Sequence, residues 1–215
     1  MARKLYPIGL QTFERIRVED KFYIDKTEYV YRMAHTDGTY FFLSRPRRFG
    51  KSLLCSTLKC YFEGRKDLFE GLKIMEMEEE WNQYPVIRLD MSRGGANAGT
   101  LHSYLNLRFA YYEDKYSIIP APTAGLADRF DAIITTACRQ TGLNVAILID
   151  EYDSPLQHSW NTPEHDECTE VYREVFAILK ADDEYQRFVF ITGITKFTQI
   201  SLFSVLNNLT NISFL

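Results

Sequence analysis

A glycine, a lysine and a serine in a row, Gly50-Lys51-Ser52, stand where the apolar run Phe41-Phe42-Leu43 gives way to a helical pattern of Leu53, Leu54, Leu58 and Tyr61. At a strand-to-helix junction these residue types suit a phosphate group. The leading N–H groups of a helix have no intrahelical partner, and its dipole end is positive. Gly50 lets the backbone come close, Lys51 would reach the β- and γ-phosphates as a point charge, and the Ser52 hydroxyl would fill one coordination place on Mg²⁺. Arg45, Pro46, Arg47, Arg48 and Phe49 before them and Leu53 after them complete a loop able to cradle a nucleoside triphosphate. Arg45 holds the place that the general pattern G-x-x-x-x-G-K-[ST] gives to its first glycine, so by spacing alone the motif is broken.

A triphosphate also needs a carboxylate beside its metal, and the chain offers one at the end of a second apolar run. Val145-Ala146-Ile147-Leu148-Ile149 closes on Asp150-Glu151. Asp150 would hold Mg²⁺, usually through water, and Glu151 would orient and deprotonate a water attacking the γ-phosphate. A third run, Phe188-Val189-Phe190-Ile191, closes on Thr192-Gly193, which puts a hydroxyl within reach of that water or phosphate. Taken alone, Asp150-Glu151 reads more readily as two solvated carboxylates capping a turn; an upstream Gly-Lys-Ser reverses the balance, because each segment needs the other chemically. Weaker candidates are Asp153, which also reads as part of an ordinary Asp153-Ser154-Pro155 turn, and Lys196, which also reads as an exposed loop lysine. His35, His102, His158 and His165 share no spacing that would make a site.

The elements that must carry these residues follow from periodicity. A helix over Thr12 to Val18, a short strand Phe22-Tyr23-Ile24 and a helix opening at Asp25 or Thr27 form an N-terminal lead-in. The strand Tyr40 to Ser44 feeds a helix from Gly50 to about Phe62. A strand Pro85 to Met91, a Gly/Ala/Asn-rich break at Gly94 to Gly99, a helix from about Leu101 to Tyr116 and another from Leu126 to Gln140 closed by Gly142 follow. A helix over Glu167 to Ala181 separates the last two apolar runs, and Asp182-Asp183-Glu184 reads as solvated loop. Asn207 to Leu215 reads as a loop entering a final short strand. Continuous apolar runs separated by helices are strands buried on both faces, so we expect an α/β fold, a mostly parallel sheet with helices on both faces. In such a sheet, ligands bind outside the carboxyl ends of the strands, where the candidate residues lie.

At 215 residues, with 46% hydrophobic and 25% charged side chains, the chain suits one domain, with a lead-in over 1–38 and a nucleotide-binding core over 39–215. No run approaches the ~20 apolar residues of a membrane span, and the N-terminus lacks the apolar core of a signal peptide, so a cytoplasmic location is expected. Cys55, Cys60, Cys138 and Cys168 show no C-x-x-C pair and read as reduced thiols in the packing. A net charge of −4 argues against a broad nucleic-acid surface, leaving Arg45, Arg47 and Arg48 as a local basic cluster whose natural anion is the nucleotide.

Together these stretches resemble the bacterial AAA-ATPase-like domain family. The resemblance is carried by Pro7-Ile8-Gly9 with Thr12-Phe13, Tyr23-Ile24-Asp25-Lys26-Thr27, Phe42 to Leu54, Leu148 to Leu156, Ile191 to Phe197, Ser201 to Ser204 and Asn207-Asn208-Leu209, and so covers nearly the whole chain. It implies that Arg-Pro-Arg-Arg-Phe-Gly-Lys-Ser is this family's own form of the phosphate loop. It further implies a three-layer P-loop NTPase fold of the additional-strand, catalytic-glutamate type, with Asp150 and Glu151 in the two acidic roles. Members often continue into a PD-(D/E)xK nuclease-like domain. Neither that domain nor a helical lid is expected within residues 1–215, and nuclease activity is not carried over. The expected ligands are ATP and Mg²⁺; a homo-oligomer or a C-terminal partner domain is consistent with the resemblance. Two uses stay open, an ATPase and a nucleotide-dependent switch with little turnover, while a scaffold that leaves the loop idle would have no need of Lys51, Asp150 and Glu151 together.

Overall fold

A computed structural model describes residues 4–194 and 209–213. Its centre is a five-stranded sheet of β1 (Tyr40–Ser44), β2 (Val86–Asp90), β3 (Val145–Asp150), β4 (Gln186–Gly193) and β5 (Thr210–Asn211), in the order β2-β3-β4-β1-β5. Every pairing is parallel. The β3 strand lies between β2 and β4 with all six of its residues buried, which is why its sequence is an unbroken apolar run up to Asp150.

Alternation along the strands divides the core into two layers. Phe42, Ile87, Leu89, Ile147, Ile149, Val189 and Ile191 face α4 (Ala98–Lys115), α5 (Leu126–Thr141), α6 (Ser154–Ser159) and α7 (His165–Ala181). Phe41, Val86, Ala146, Leu148, Phe188 and Phe190 face α1 (Phe13–Val18), α2 (Thr27–Ala34) and α3 (Lys51–Phe62). Helices therefore cover both faces, and the three-layer α/β fold expected from the sequence is the fold observed.

Register brings the chemistry to one edge. Asp90 pairs with Asp150, Ile149 with Ile191, and Ser44 with Gly193, so β2, β3, β4 and β1 end flush with one another. The strands ending in Asp150 and Thr192 are neighbours, with the strand ending in Ser44 beyond the latter.

Several expectations need correction. Phe22-Tyr23-Ile24 is extended but is no strand: its backbone contact is a bond from the Phe22 N–H to the Leu5 carbonyl at 2.8 Å, and Phe22 and Ile24 are exposed. A β pattern without a neighbouring strand makes no ladder. The Asp153-Ser154-Pro155 turn opens a short helix, α6, in which Pro155 sits in the first turn, where its missing N–H costs nothing. The α4 helix starts at Ala98 rather than about Leu101, because Asn97 and Thr100 cap it reciprocally: the Thr100 N–H donates to Asn97 Oδ1 at 2.9 Å. Asp182 is buried, not solvated. The four cysteines are free thiols, three buried and Cys138 half-buried. Lys196 and the family-like stretches 195–197, 201–204 and 207–208 lie outside the described residues.

Candidate active site

The phosphate-loop segment is bent by two residues in the left-handed region, Arg48 at φ 69° and Gly50 at φ 77°, the latter immediately before α3. A side chain disfavours this backbone at Arg48, whereas Gly50 has open space where a Cβ would stand. The loop carbonyls of Arg45 and Pro46 accept hydrogen bonds from Lys51 Nζ at 2.8 and 3.1 Å, and Lys51 is buried. The ammonium is thus folded back against its own loop, at the mouth of a helix whose first N–H groups have no intrahelical acceptors. Arg47, Arg48 and Phe49 are exposed, and Arg45 and Ser52 half-buried.

Strand parity aims the second half of the site. Asp150 and Thr192 share the parity of Leu148 and Phe190, which puts both on the α3 face of adjacent strands. Thr192 is fully buried; its hydroxyl donates to Asp150 Oδ1 at 2.6 Å and accepts the Glu151 N–H at 3.1 Å. Its proton is spent on Asp150. The Thr192 hydroxyl thus joins the Asp150 carboxylate to the backbone of Glu151. Asp150 Oδ2 lies 3.5 Å from Arg88 Nη2 on β2.

Glu151 itself stands at φ 49°. A non-glycine residue in this region at a strand end is held there by its surroundings, here by the Thr192 hydroxyl below its N–H and by Tyr152, whose N–H donates to the Thr192 carbonyl at 2.8 Å. Burial and then the charge of Asp150 raise the Glu151 pKa above the usual glutamate value, against the pull of Lys51.

Ser52, Asp150 and Glu151 line one cleft, of about 360 Å³. Its far wall, from β2, the 3-10 turn after it and α4, carries no sequence motif: Arg88, Asp90, Ser92, Arg93, Tyr104 and Arg108 line it, together with Gln11 and Thr12 of the lead-in. Pairing of Asp90 with Asp150 puts a third carboxylate at the strand ends, and only the sheet order could have revealed it. Asp153 points elsewhere: its carboxylate ties Ile194 N–H at 2.9 Å and Gln157 Nε2 at 2.7 Å, which is a structural tie between β4 and α6.

The donor set suits the ligands anticipated for it. The Ser52 hydroxyl and the Asp150 carboxylate are hard oxygen donors of the kind Mg²⁺ takes, although among the described residues no three acidic, His or Cys side chains gather as a metal cage, and a buried lysine against a sharply bent loop is a cationic complement to phosphate.

Comparison with known proteins shows the family. The family described as "Predicted AAA-ATPase" matches residues 7–203. The "Uncharacterized protein in vnfD 5'region" of Azotobacter chroococcum mcd 1 is 37% identical over 216 residues, covering 99% of this chain. This chain spans 42% of that protein's length.

Proposed function

The chain belongs to the AAA-ATPase-like family, and on that footing we propose that it binds ATP with Mg²⁺ and hydrolyses it to ADP and phosphate. The observation that carries the reading is the convergence of Ser52, Asp150 and Glu151 on one cleft at the carboxyl ends of parallel strands, with Lys51 held at the loop beside it. In this reading the nucleotide-binding segment is Arg45 to Leu53, within a core over 39–215. Lys51 exchanges its carbonyl partners for the β- and γ-phosphate oxygens. Ser52 and Asp150 hold the metal, whose contribution is to neutralise charge on those oxygens. Glu151 accepts the proton of the attacking water, a task favoured by a pKa raised toward the working pH. Thr192 keeps Asp150 and Glu151 in place.

Calorimetry and a phosphate-release assay test it. Lys51→Ala should weaken ATP binding by about ten- to a hundredfold, since it removes a charge-assisted contact. Glu151→Gln should leave ATP affinity within a few fold while turnover falls by about a hundredfold or more. Equal ATP affinities for wild type and Lys51→Ala would refute the phosphate-loop assignment.

A second reading, the nucleotide switch, draws on one observation. Gln11 and Thr12 line the cleft, and the adjacent Phe13 N–H donates to Ser56 Oγ of α3 at 3.0 Å, so the lead-in is clamped to the phosphate-loop helix. If ATP changes the protease susceptibility of the lead-in in Glu151→Gln as much as in wild type, binding alone is the signal; if it changes neither, the switch reading is wrong.

A further inference from the structure

The far wall of the cleft brings Arg88, Arg93 and Arg108 together opposite Asp90, Asp150 and Glu151, and the arginines pair with these carboxylates only loosely. Two arginines outside it, Arg129 and Arg65, show what close matching by carboxylates looks like. Arg129 donates to both oxygens of buried Glu113 at 2.6 and 2.7 Å, and Arg65 reaches Glu14 at 2.8 Å and Asp67 at 3.0 Å. In the cleft the matches are poor. Arg88 approaches Asp150 only at 3.5 Å and otherwise meets the buried Cys55 thiol, and its Nε is buried with no hydrogen-bond partner among the described residues. Arg93 approaches Asp90 only at 3.5 Å and is mostly exposed. Arg108 rests on the rings of Tyr111 and Tyr112 at 5.1 and 5.5 Å and has no carboxylate partner among the described residues.

Tyr104 adds a directed donor. Its phenol oxygen accepts the Asp90 N–H at 2.7 Å, which leaves the hydroxyl proton without an acceptor among the described residues. Burial pushes this phenol up to about 12, so the proton stays available as a donor at any ordinary pH.

We propose that Arg88, Arg93, Arg108 and Tyr104 form a second subsite, distinct from the phosphate loop, for the phosphate group of a small phosphomonoester. Guanidinium forks match phosphate oxygens in pairs, and a dianion satisfies several of them together. The phosphate loop's own residues 45–51 do not line this cleft, so a group seated on the β2 side lies across Asp150 and Glu151 from the nucleotide segment. Size and charge choose the class of ligand. About 360 Å³ is room for a small molecule, and a net charge of −4 argues against an extended basic track for a nucleic-acid backbone.

The test uses inorganic phosphate and glycerol phosphate as probes, titrated by calorimetry into nucleotide-free protein carrying Lys51→Ala, so that the phosphate loop is out of play. Both probes should bind this variant. Adding Arg93→Gln and Arg108→Gln should weaken them by about tenfold or more, with an unchanged melting midpoint, and acetate should not compete. Tyr104→Phe in the Lys51→Ala background should weaken them severalfold. The proposal is overturned if no phosphate binding is seen, if binding vanishes with Lys51→Ala alone, if the triple variant binds as well as the single one, or if a single-stranded oligonucleotide binds tenfold tighter than glycerol phosphate through the same arginines. Because ATP affinity does not enter these titrations, failure of the nucleotide reading and failure of this one remain separate results.

Discussion

Glu151 holds the tension between chemistry and stability at the scale of single residues. Its backbone stands at φ 49°, a conformation that costs an ordinary L-residue about 1–2 kcal/mol and glycine almost nothing. Glu151→Gly should therefore raise unfolding stability by about 0.5–1 kcal/mol, after allowance for the freer unfolded chain, while abolishing turnover. A urea titration beside a turnover assay measures both, and a variant less stable than wild type would mean that the side chain contributes more packing than strain. The raised pKa has its own signature. A base works only when deprotonated, so turnover should fall with decreasing pH along an acid limb centred above 4.5, the ordinary glutamate value. Thr192→Val should act differently again. Losing the hydroxyl leaves Asp150 Oδ1 and the Glu151 N–H unpaired, so kcat should drop more than tenfold with ATP KM within a few fold, and Thr192→Ser should restore most of it. An unaltered kcat in Thr192→Val would remove its positioning role.

The elements depend on one close approach at the end of β4. A Cβ on Gly193 would lie 2.5 and 2.7 Å from Tyr152 ring atoms and 2.9 Å from Asp153 Oδ1. Tyr152 cannot yield easily, since it is fully buried and its ring meets Phe42 edge-on at 5.7 Å. Gly193→Ala should cost about 1–3 kcal/mol in unfolding free energy, and a loss under 0.5 kcal/mol would show that the strand end relaxes freely. This contact explains why a glycine follows Thr192: the strand must come close enough for the Thr192 hydroxyl to meet Asp150.

Across the whole molecule, the least expected feature is a buried acid far from the cleft. Asp182 ends α7 at the negative pole of the helix, its Oδ2 is buried, and the carboxyl of Asp131 of α5 lies within hydrogen-bonding reach. Burial, then the charge of Asp131, push its carboxyl up to about 7 from 3.8. The folded state thus keeps a proton that the unfolded chain has released. Stability contributed by this group is lost as pH rises from about 4 through 7, and the full penalty stands above 7. Asp182→Asn should accordingly gain stability over wild type at pH 8 and little at pH 4.5. Urea midpoints at the two pH values measure it, and an equal gain at both would mean that packing, not charge, is responsible.

The sequence by itself determined the α/β class, the parallel sheet and the loop, strand-end acid pair and hydroxyl of the candidate site, since unbroken apolar runs, a Gly-Lys-Ser at a helix start and Asp150-Glu151 are local signals. It also marked Gly142 as the end of α5, where φ is 68°. What it could not determine is which side chains meet across strands. Phe22 to Ile24 has a strand's composition and no neighbour to pair with, and Asp182 looks like any loop acid until α5 closes over it. That the Thr192 hydroxyl meets Asp150 follows from strand parity and from β3 lying beside β4. Arg88, Asp90, Tyr104 and Arg108 carry no motif at all. They reach one cleft because β2 sits next to β3 and α4 packs over their ends. That juxtaposition comes from sheet order and register, long-range properties that no local pattern of residue types encodes.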